Sequence, residues 1–235
     1  MDIDPQPRRS RAFCAYCGGR QEQRDHVIPR QMYPADGKFR VTVESCLQCG
    51  AAKKRFDDFM SHTVATDIRT ANHPIAKEQF EGPVLRAIQG RHSEVARRVT
   101  SARSPILGVT PEGVLVPLEQ IPADDMINGW LAYVGKGLVK FHYPANRSAD
   151  GLTIRVAELS EIDLAVGERL VSEMPGTIGP NALGDANAPY PPIFRWIGNV
   201  ASESNWLWFV SLYGGLHYKI FALPELATEA TPETA

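Results

Sequence analysis

The sequence lacks cysteine after residue 49, and it lacks any long uncharged hydrophobic run. A membrane-spanning helix needs about 18 or more mostly apolar residues, so the sequence predicts no membrane span. The first residues, MDIDPQPRRSRA, contain no apolar stretch of the kind that a signal peptide carries. No internal repeat is present. Together these absences predict a cytoplasmic protein without a membrane partner.

The net charge of −2 conceals an uneven distribution of charge along the 235 residues. Residues 1–104 carry 18 Lys and Arg against 12 Asp and Glu, whereas residues 105–235 carry 7 against 15. The basic part predicts contact with a polyanion such as DNA, while the acidic part does not. Ordinary solvated surface is the alternative explanation for the basic excess. Hydrophobic and charged contents of 43% and 22% are typical of a globular protein.

The cysteines form two C-x2-C pairs near the start of the chain, namely Cys14 with Cys17 and Cys46 with Cys49. Two residues between cysteines let both thiolates point inward from one tight turn, and two such pairs are typical of a tetrahedral Zn²⁺ site. Disulfides would require an oxidising compartment, and free thiols are the third alternative. The spacing therefore favours a structural zinc ion that holds together a segment poor in apolar residues.

Local patterns predict an α+β fold: a small zinc-stapled ββα-metal finger, then helices, then a C-terminal α+β domain with an antiparallel sheet. RDHVIP and FRVTVES are typical of short strands around a turn at 34–37, and the residues after Cys49 are typical of a helix. Further on, PADDMINGWLAYVGKGLVKFH predicts a long amphipathic helix, GLTIRVAEL a strand, and SEIDLAVGERLVSEM a helix capped by Ser160. The stretch from 191 to 224 predicts a three-stranded meander with turns near 202–205 and 214–215.

Five segments follow from these patterns. They are a disordered N-terminus at 1–12, a zinc finger at 13–62, a basic helical bridge at 63–104, an acidic α+β domain at 105–224 and a disordered tail at 225–235. The acidic domain contains several strand aromatics, which core packing explains better than base stacking. Nothing in its sequence names a ligand.

The order of cysteine pair, strand, Asp-His, strand, cysteine pair and helix resembles the HNH endonuclease family in its four-cysteine, zinc-stapled form. CAYC, DHVIP and VTVESCLQC…KKRFDDF carry the resemblance, which covers residues 14–59. It implies phosphodiester hydrolysis in DNA, with His26 as the general base and Asp25 as a ligand of Mg²⁺ or Mn²⁺. A near-neutral imidazole and a hard oxygen ligand suit those roles.

Three basic residues, Arg30, Lys53 and Lys54, lie where phosphate contacts would assist such a reaction. Two positions depart from the family pattern. Val41 stands where the family has an Asn, and Gly50 stands where an Asn or His would supply the second metal ligand. Asp57 is a candidate replacement, although two helical turns place it about 10 Å further along the helix. Asp58 and Glu44 are weaker candidates.

Two main hypotheses follow. The first is an HNH-like, metal-dependent DNA endonuclease that uses His26 and Asp25. The second, motivated by Gly50, is a catalytically degenerate zinc-finger module that binds nucleic acid or a protein partner without cutting. In a third, weaker alternative the finger is only architectural and the acidic domain carries the function. A double-strand cut would favour a homodimer, but that expectation comes from the reaction and not from the residues.

Overall fold

The structure is a computed structural model, and it describes residues 13–33, 41–89, 97, 101, 104–109, 115–120, 125–144, 152–184, 188–202 and 204–224. The predicted turn at 34–37, the predicted N-terminus at 1–12 and the predicted tail at 225–235 lie outside these residues. Within the described residues, no helix combines the length and the apolar character that crossing a membrane requires. The fold is a mixed α+β structure with an antiparallel sheet, as the sequence predicts.

The cysteine-rich segment forms two short antiparallel strands followed by a long helix. These elements are β1 (Gln23–His26), β2 (Thr42–Ser45) and α1 (Leu47–Thr66). In the register of the strands, Asp25 lies opposite Val43 and His26 opposite Thr42. Cys46 is the N-cap of α1, so the helix begins before Cys49. The sequence pattern predicted a helix that begins after Cys49.

Short helices follow α1 in the region predicted to be a basic helical bridge. A 3-10 turn spans Ile68–Thr70, α2 spans Pro74–Gln79, a π-helical turn spans Phe80–Val84, and α3 spans Leu85–Gln89. Pro74 at the first turn of α2 loses no helical hydrogen bond, since the first N–H groups of a helix have no partner within it. Most of the remaining bridge lies outside the described residues.

Residues near the middle of the chain form a separate antiparallel hairpin. Its strands are β3 (Ser104–Val109) and β4 (Leu115–Gln120), and Ile106 lies opposite Leu118. The stretch GVTPEGVLVPL is strand-like, but Pro111 and Gly113 interrupt its apolar alternation, so the sequence pattern alone does not resolve two strands here.

The C-terminal half contains α4 (Asp125–His142), α5 (Glu161–Ser172) and a sheet with the strand order β5-β9-β8-β7-β6. The strands are β5 (Leu152–Leu159), β6 (Thr177–Leu183), β7 (Phe194–Ser202), β8 (Asn205–Leu212) and β9 (Leu216–Pro224). The predicted meander of β7, β8 and β9 and the Ser160 cap of α5 are confirmed. Strand β6 was not predicted, since Gly179 and Pro180 interrupt its pattern.

Helix α4 lies between the cysteine-rich segment and the sheet. One cluster of buried side chains runs from Cys14 to Ala222 and includes Trp130, which is fully buried on α4. Helix α4 approaches its neighbours most closely at three glycines, where there is no room for a Cβ atom. A Cβ at Gly129 would lie 2.5 Å from the Phe56 ring, and one at Gly135 would lie 2.6 Å from the Trp206 ring. A Cβ at Gly137 would lie 2.7 Å from Val27. Buried contacts thus cross the predicted boundaries at 62 and 104, which stay predictions.

Candidate functional site

The first cysteine pair lies in a tight turn. The backbone N–H of Cys14 donates to the carbonyl of Gly19 at 2.8 Å, and the N–H of Gly18 donates to the carbonyl of Cys14 at 3.0 Å. Gly18 has a φ of 70°, in the left-handed region that glycine adopts without steric cost. The turn directs the thiols of Cys14 and Cys17 to the same side.

The second cysteine pair lies at the N-terminus of α1. The backbone N–H of Cys49 donates to the Cys46 sulfur at 3.3 Å, so Cys46 caps the helix with its own thiol. Residues three apart on a helix lie on one face, which brings the two sulfurs together. The helix end and the turn of the first pair therefore present four thiols to one point.

The four sulfurs fit a metal ion. All four Sγ atoms lie within 4.8 Å of one another, and those of Cys17 and Cys46 lie 3.8 Å apart. A tetrahedral zinc site with Zn–S bonds of 2.3 Å has sulfurs about 3.8 Å apart, so shortening the longest separations by at most about 1 Å would complete the site. The cysteines are thus positioned to bind a structural metal such as zinc, as their spacing predicts.

Thiol acidity in this cluster depends on local hydrogen bonds and burial. The N–H of Cys49 lowers the pKa of the Cys46 thiol, whereas burial raises the pKa values of Cys17 and Cys49. A thiol must lose its proton to ligate a metal, and the charge of a bound cation favours that loss. Metal binding at this cluster is therefore expected to release protons and to weaken in acid.

Asp25 and His26 occupy the end of β1, beside the cysteine cluster. The Tyr16 hydroxyl donates to Oδ2 of Asp25 at 2.7 Å, and the side chain of Asp25 is 19% exposed. Burial raises the pKa of Tyr16 well above its usual range, and the Asp25 carboxylate adds to this, so Tyr16 stays a donor. Among the described residues, the contacts of Asp25 with Tyr16 and Lys53 are both to Oδ2.

Lys53 lies wholly buried beneath this strand end. Its Nζ donates to the carbonyl oxygen of His26 at 2.8 Å and lies 3.8 Å from Oδ2 of Asp25. The predicted phosphate contact of Lys53 is at odds with this position, because an ammonium group with 0% exposure does not reach a phosphate in solvent. Its contacts instead fix the end of β1 to helix α1.

Asp57 holds the Lys53 ammonium from the other side. Both carboxylate oxygens of Asp57 lie 2.7 Å from Lys53 Nζ, and Oδ1 also accepts from the Trp130 indole N–H at 3.0 Å. Burial raises the pKa of Asp57, and the Lys53 charge opposes that rise. The structure brings Asp25 and Asp57 to one ammonium group, but it commits Asp57 to an ion pair. Its role as a divalent-metal ligand stays a prediction.

Position 50 has little room for a side chain. A Cβ on Gly50 would lie 1.9 Å from Nε2 of Gln23, an amide that donates to the Ser45 hydroxyl at 3.3 Å. The Gln23 side chain thus occupies the place where the HNH pattern has a ligand. Arg30 and Lys54, the other predicted phosphate contacts, are exposed.

Sequence reasoning did not find the contribution of α4 to this site. Lys136 donates to the carbonyl of Tyr16 at 2.9 Å, and the Tyr133 ring lies 4.9 Å from the Tyr16 ring. With Trp130, these residues come from the segment that the sequence assigned to a separate acidic domain. No local signal could have found them, because the contact between Trp130 and Asp57 spans 73 residues.

Much of the basic excess that predicts DNA binding is outside the described residues. Arg8, Arg9, Arg11, Lys38, Arg40, Arg91, Arg98 and Arg103 all fall there. The described part of the chain therefore neither supports nor opposes a continuous basic surface.

Comparisons of the chain with protein-family models, with curated proteins and with solved structures found no match.

Proposed function

We propose that this protein is an HNH-like, metal-dependent endonuclease that hydrolyses phosphodiester bonds in DNA. The observation that carries the proposal is that hydrogen bonds hold the Asp25 carboxylate and the His26 backbone, with Tyr16 joining Asp25 to the turn that bears two of the four clustered thiols. Oδ2 of Asp25 accepts from Tyr16 and pairs with Lys53, Oδ1 would bind the cation in this proposal, and Lys53 anchors the backbone of His26. Such anchoring is what a catalytic pair requires, since its geometry must be held to within about 0.5 Å.

In the proposed reaction His26 accepts a proton from the attacking water. The water oxygen forms a bond to phosphorus, the bond to the leaving oxygen breaks, and that oxygen takes a proton from solvent. Asp25 would hold a divalent cation, which supplies charge stabilisation to the phosphate when bound. Mg²⁺ is commonly held by one or two carboxylates together with water and phosphate oxygens, so a single Asp25 oxygen is compatible with it.

The test is a plasmid-nicking assay on the zinc-loaded chain with Mg²⁺, Mn²⁺ or EDTA. We expect nicking that requires a divalent ion and falls at least 100-fold in His26→Ala. His62→Ala is the matched control, because His62 lies on α1 about 20 Å along the helix from Cys49. Nicking that survives His26→Ala would refute the assigned base.

Gly50 favours a second candidate, a module that binds DNA or a protein partner without cutting it. The Gln23 amide fills the position of the family's second ligand, so the divalent ion would lose one protein contact. Folded, zinc-loaded protein that retards DNA without added Mg²⁺ or Mn²⁺, releases it at higher salt and never nicks when either ion is supplied would support this candidate.

Replacing Gly50 by Asn distinguishes a lapsed nuclease from a module of another kind. Because the clash is with the flexible end of Gln23, Gly50→Asn is paired with Gln23→Ala to make room. We expect the double variant to nick faster than Gln23→Ala alone if position 50 limits metal binding. If the folded double variant and Gln23→Ala nick at equal rates, position 50 does not limit metal binding.

A further inference from the structure

The proposed site depends on two side chains that contact Asp25, and both are held in turn by helix α4. Tyr16 donates a hydrogen bond to Oδ2 of Asp25, and the Lys53 ammonium pairs with the same oxygen at 3.8 Å. Burying an ammonium group is unfavourable by several kcal/mol unless it is paired, so the position of Lys53 depends on its partners. Its closest partner, Asp57, is itself partly buried and accepts a hydrogen bond from Trp130.

The first connection runs from Trp130 through Asp57 to Lys53. The Trp130 indole is fully buried, and its N–H is directed at Oδ1 of Asp57. That hydrogen bond fixes the carboxylate plane, and the two oxygens of Asp57 then fix the ammonium at 2.7 Å each. Lys53 carries the constraint to the His26 carbonyl and to Asp25.

The second connection runs from Lys136 through Tyr16. Lys136 donates to the Tyr16 carbonyl at 2.9 Å, while the Tyr133 ring meets the Tyr16 ring edge to face. The Tyr16 hydroxyl then reaches Oδ2 of Asp25 at 2.7 Å. The two connections begin on the same helix, follow different residues and end on the same carboxylate oxygen.

We propose that helix α4 is the positioning element of the Asp25–His26 site, acting through Trp130 on Lys53 and through Lys136 on Tyr16. This inference rests on the proposed function of the pair. Neither Trp130 nor Lys136 touches substrate in this proposal, so both are positioning residues. Loss of such supporting contacts in metal sites typically lowers affinity or activity 10- to 100-fold.

The test compares Trp130→Phe with Trp208→Phe in the full zinc-loaded chain. Both tryptophans are fully buried, but Trp208 Nε1 has no hydrogen-bond partner among the described residues, so only Trp130→Phe removes a bond. The first readout is the ¹H–¹⁵N resonance of the Lys53 ammonium, which is sheltered from exchange by burial. We expect it to shift or broaden in Trp130→Phe and to stay in place in Trp208→Phe.

The second readout is the nicking rate constant with Mn²⁺. We expect a fall of tenfold or more in Trp130→Phe, with the KM for plasmid unchanged. The fall in Lys136→Met should be smaller than the fall in the variant that combines Trp130→Phe with Lys136→Met. Lys77→Met, at an exposed residue of α2, is the control for removal of a lysine charge. A Lys53 resonance and a nicking rate that match Trp208→Phe would overturn the proposal.

The two readouts separate the failure of this inference from that of the endonuclease proposal. If the native chain neither nicks DNA nor binds Mn²⁺, the endonuclease proposal fails. The Lys53 resonance would still report whether Trp130 positions the ammonium group. If the native chain nicks and only the Trp130 comparison is negative, the positioning role alone is wrong.

Discussion

Individual side chains at this site differ in what they contribute, and Lys53 is the clearest case. It lies in the run AAKKR beside Lys54, yet Lys54 is exposed and Lys53 is buried. The local sequence does not distinguish Lys53 from Lys54, because both are good helix formers with the same charge. Lys53 is buried because the end of β1, with Asp25 and the His26 carbonyl, lies over it, and this contact is supplied by tertiary structure. For that reason sequence reasoning placed Lys53 on phosphate.

Lys53→Met is expected to lower the free energy of unfolding by about 3–5 kcal/mol, because it leaves the Asp57 carboxylate buried without its cation. Urea denaturation measures the change. Adding Asp57→Asn should restore part of the loss, since the amide is neutral and its oxygen can still accept from Trp130. A double variant no more stable than Lys53→Met would argue against the ion pair as the source of the loss.

Cys46→Ser is expected to remove metal binding and to unfold the N-terminal segment, because the free energy of zinc binding is part of its folding free energy. Cobalt substitution reports the change directly, since a four-thiolate site gives an absorption that three thiolates and a hydroxyl do not reproduce. Ser45→Ala is a matched control at the neighbouring buried position. A Cys46→Ser variant with full metal content would contradict the four-cysteine site.

Among the elements, helix α4 shows what a local pattern can and cannot predict. Its amphipathic spacing predicts the helix despite Gly135 and Gly137, and the structure has it at Asp125–His142. The meander of β7, β8 and β9 was equally readable, since aromatic and β-branched residues alternate between evident turns. The residues against which α4 packs could not be predicted from its sequence. Periodicity defines an apolar face, but it does not show that the cysteine-rich segment packs against one side of it.

Gly137→Ala tests this packing. Alanine favours a helix over glycine by about 1 kcal/mol, so an isolated helix would gain stability. Here the added methyl would lie 2.7 Å from Val27, and overpacking typically costs about 1–3 kcal/mol. We therefore expect a net loss of stability, which thermal unfolding measures. Gly82→Ala is the control, because a Cβ there meets no atom within 4 Å.

Across the whole molecule, buried and partly buried histidines couple stability to pH. Burial lowers the pKa values of His73, His142 and His217 below the usual 6.5. In His73 the ring Nε2 faces the Pro191 carbonyl at 2.8 Å and Nδ1 is buried without a partner among the described residues, which favours the neutral ring. The unfolded chain therefore binds more protons than the folded one as pH falls through 6.5.

Stability should thus be highest above about pH 7 and fall between pH 7 and 5, by up to about 1.4 kcal/mol for each pKa unit that separates the two states. Urea midpoints at pH 7.5 and 5.5 measure the fall. His73→Gln should show a smaller difference between the two values, whatever its absolute stability. An equal or larger difference would exclude His73 as a contributor.

The position of α4 across the cysteine-bearing segment also sets an order of events during synthesis. All four cysteines leave the ribosome before residue 50, whereas α4 is complete only at His142. At about 5–20 residues per second, the two events are separated by roughly 5–20 s. During that interval the nascent thiols are uncovered and Phe56 and Tyr16 lack their partners on α4. Metal that is supplied in that interval would therefore bind the four thiols before α4 packs against Tyr16 and Phe56.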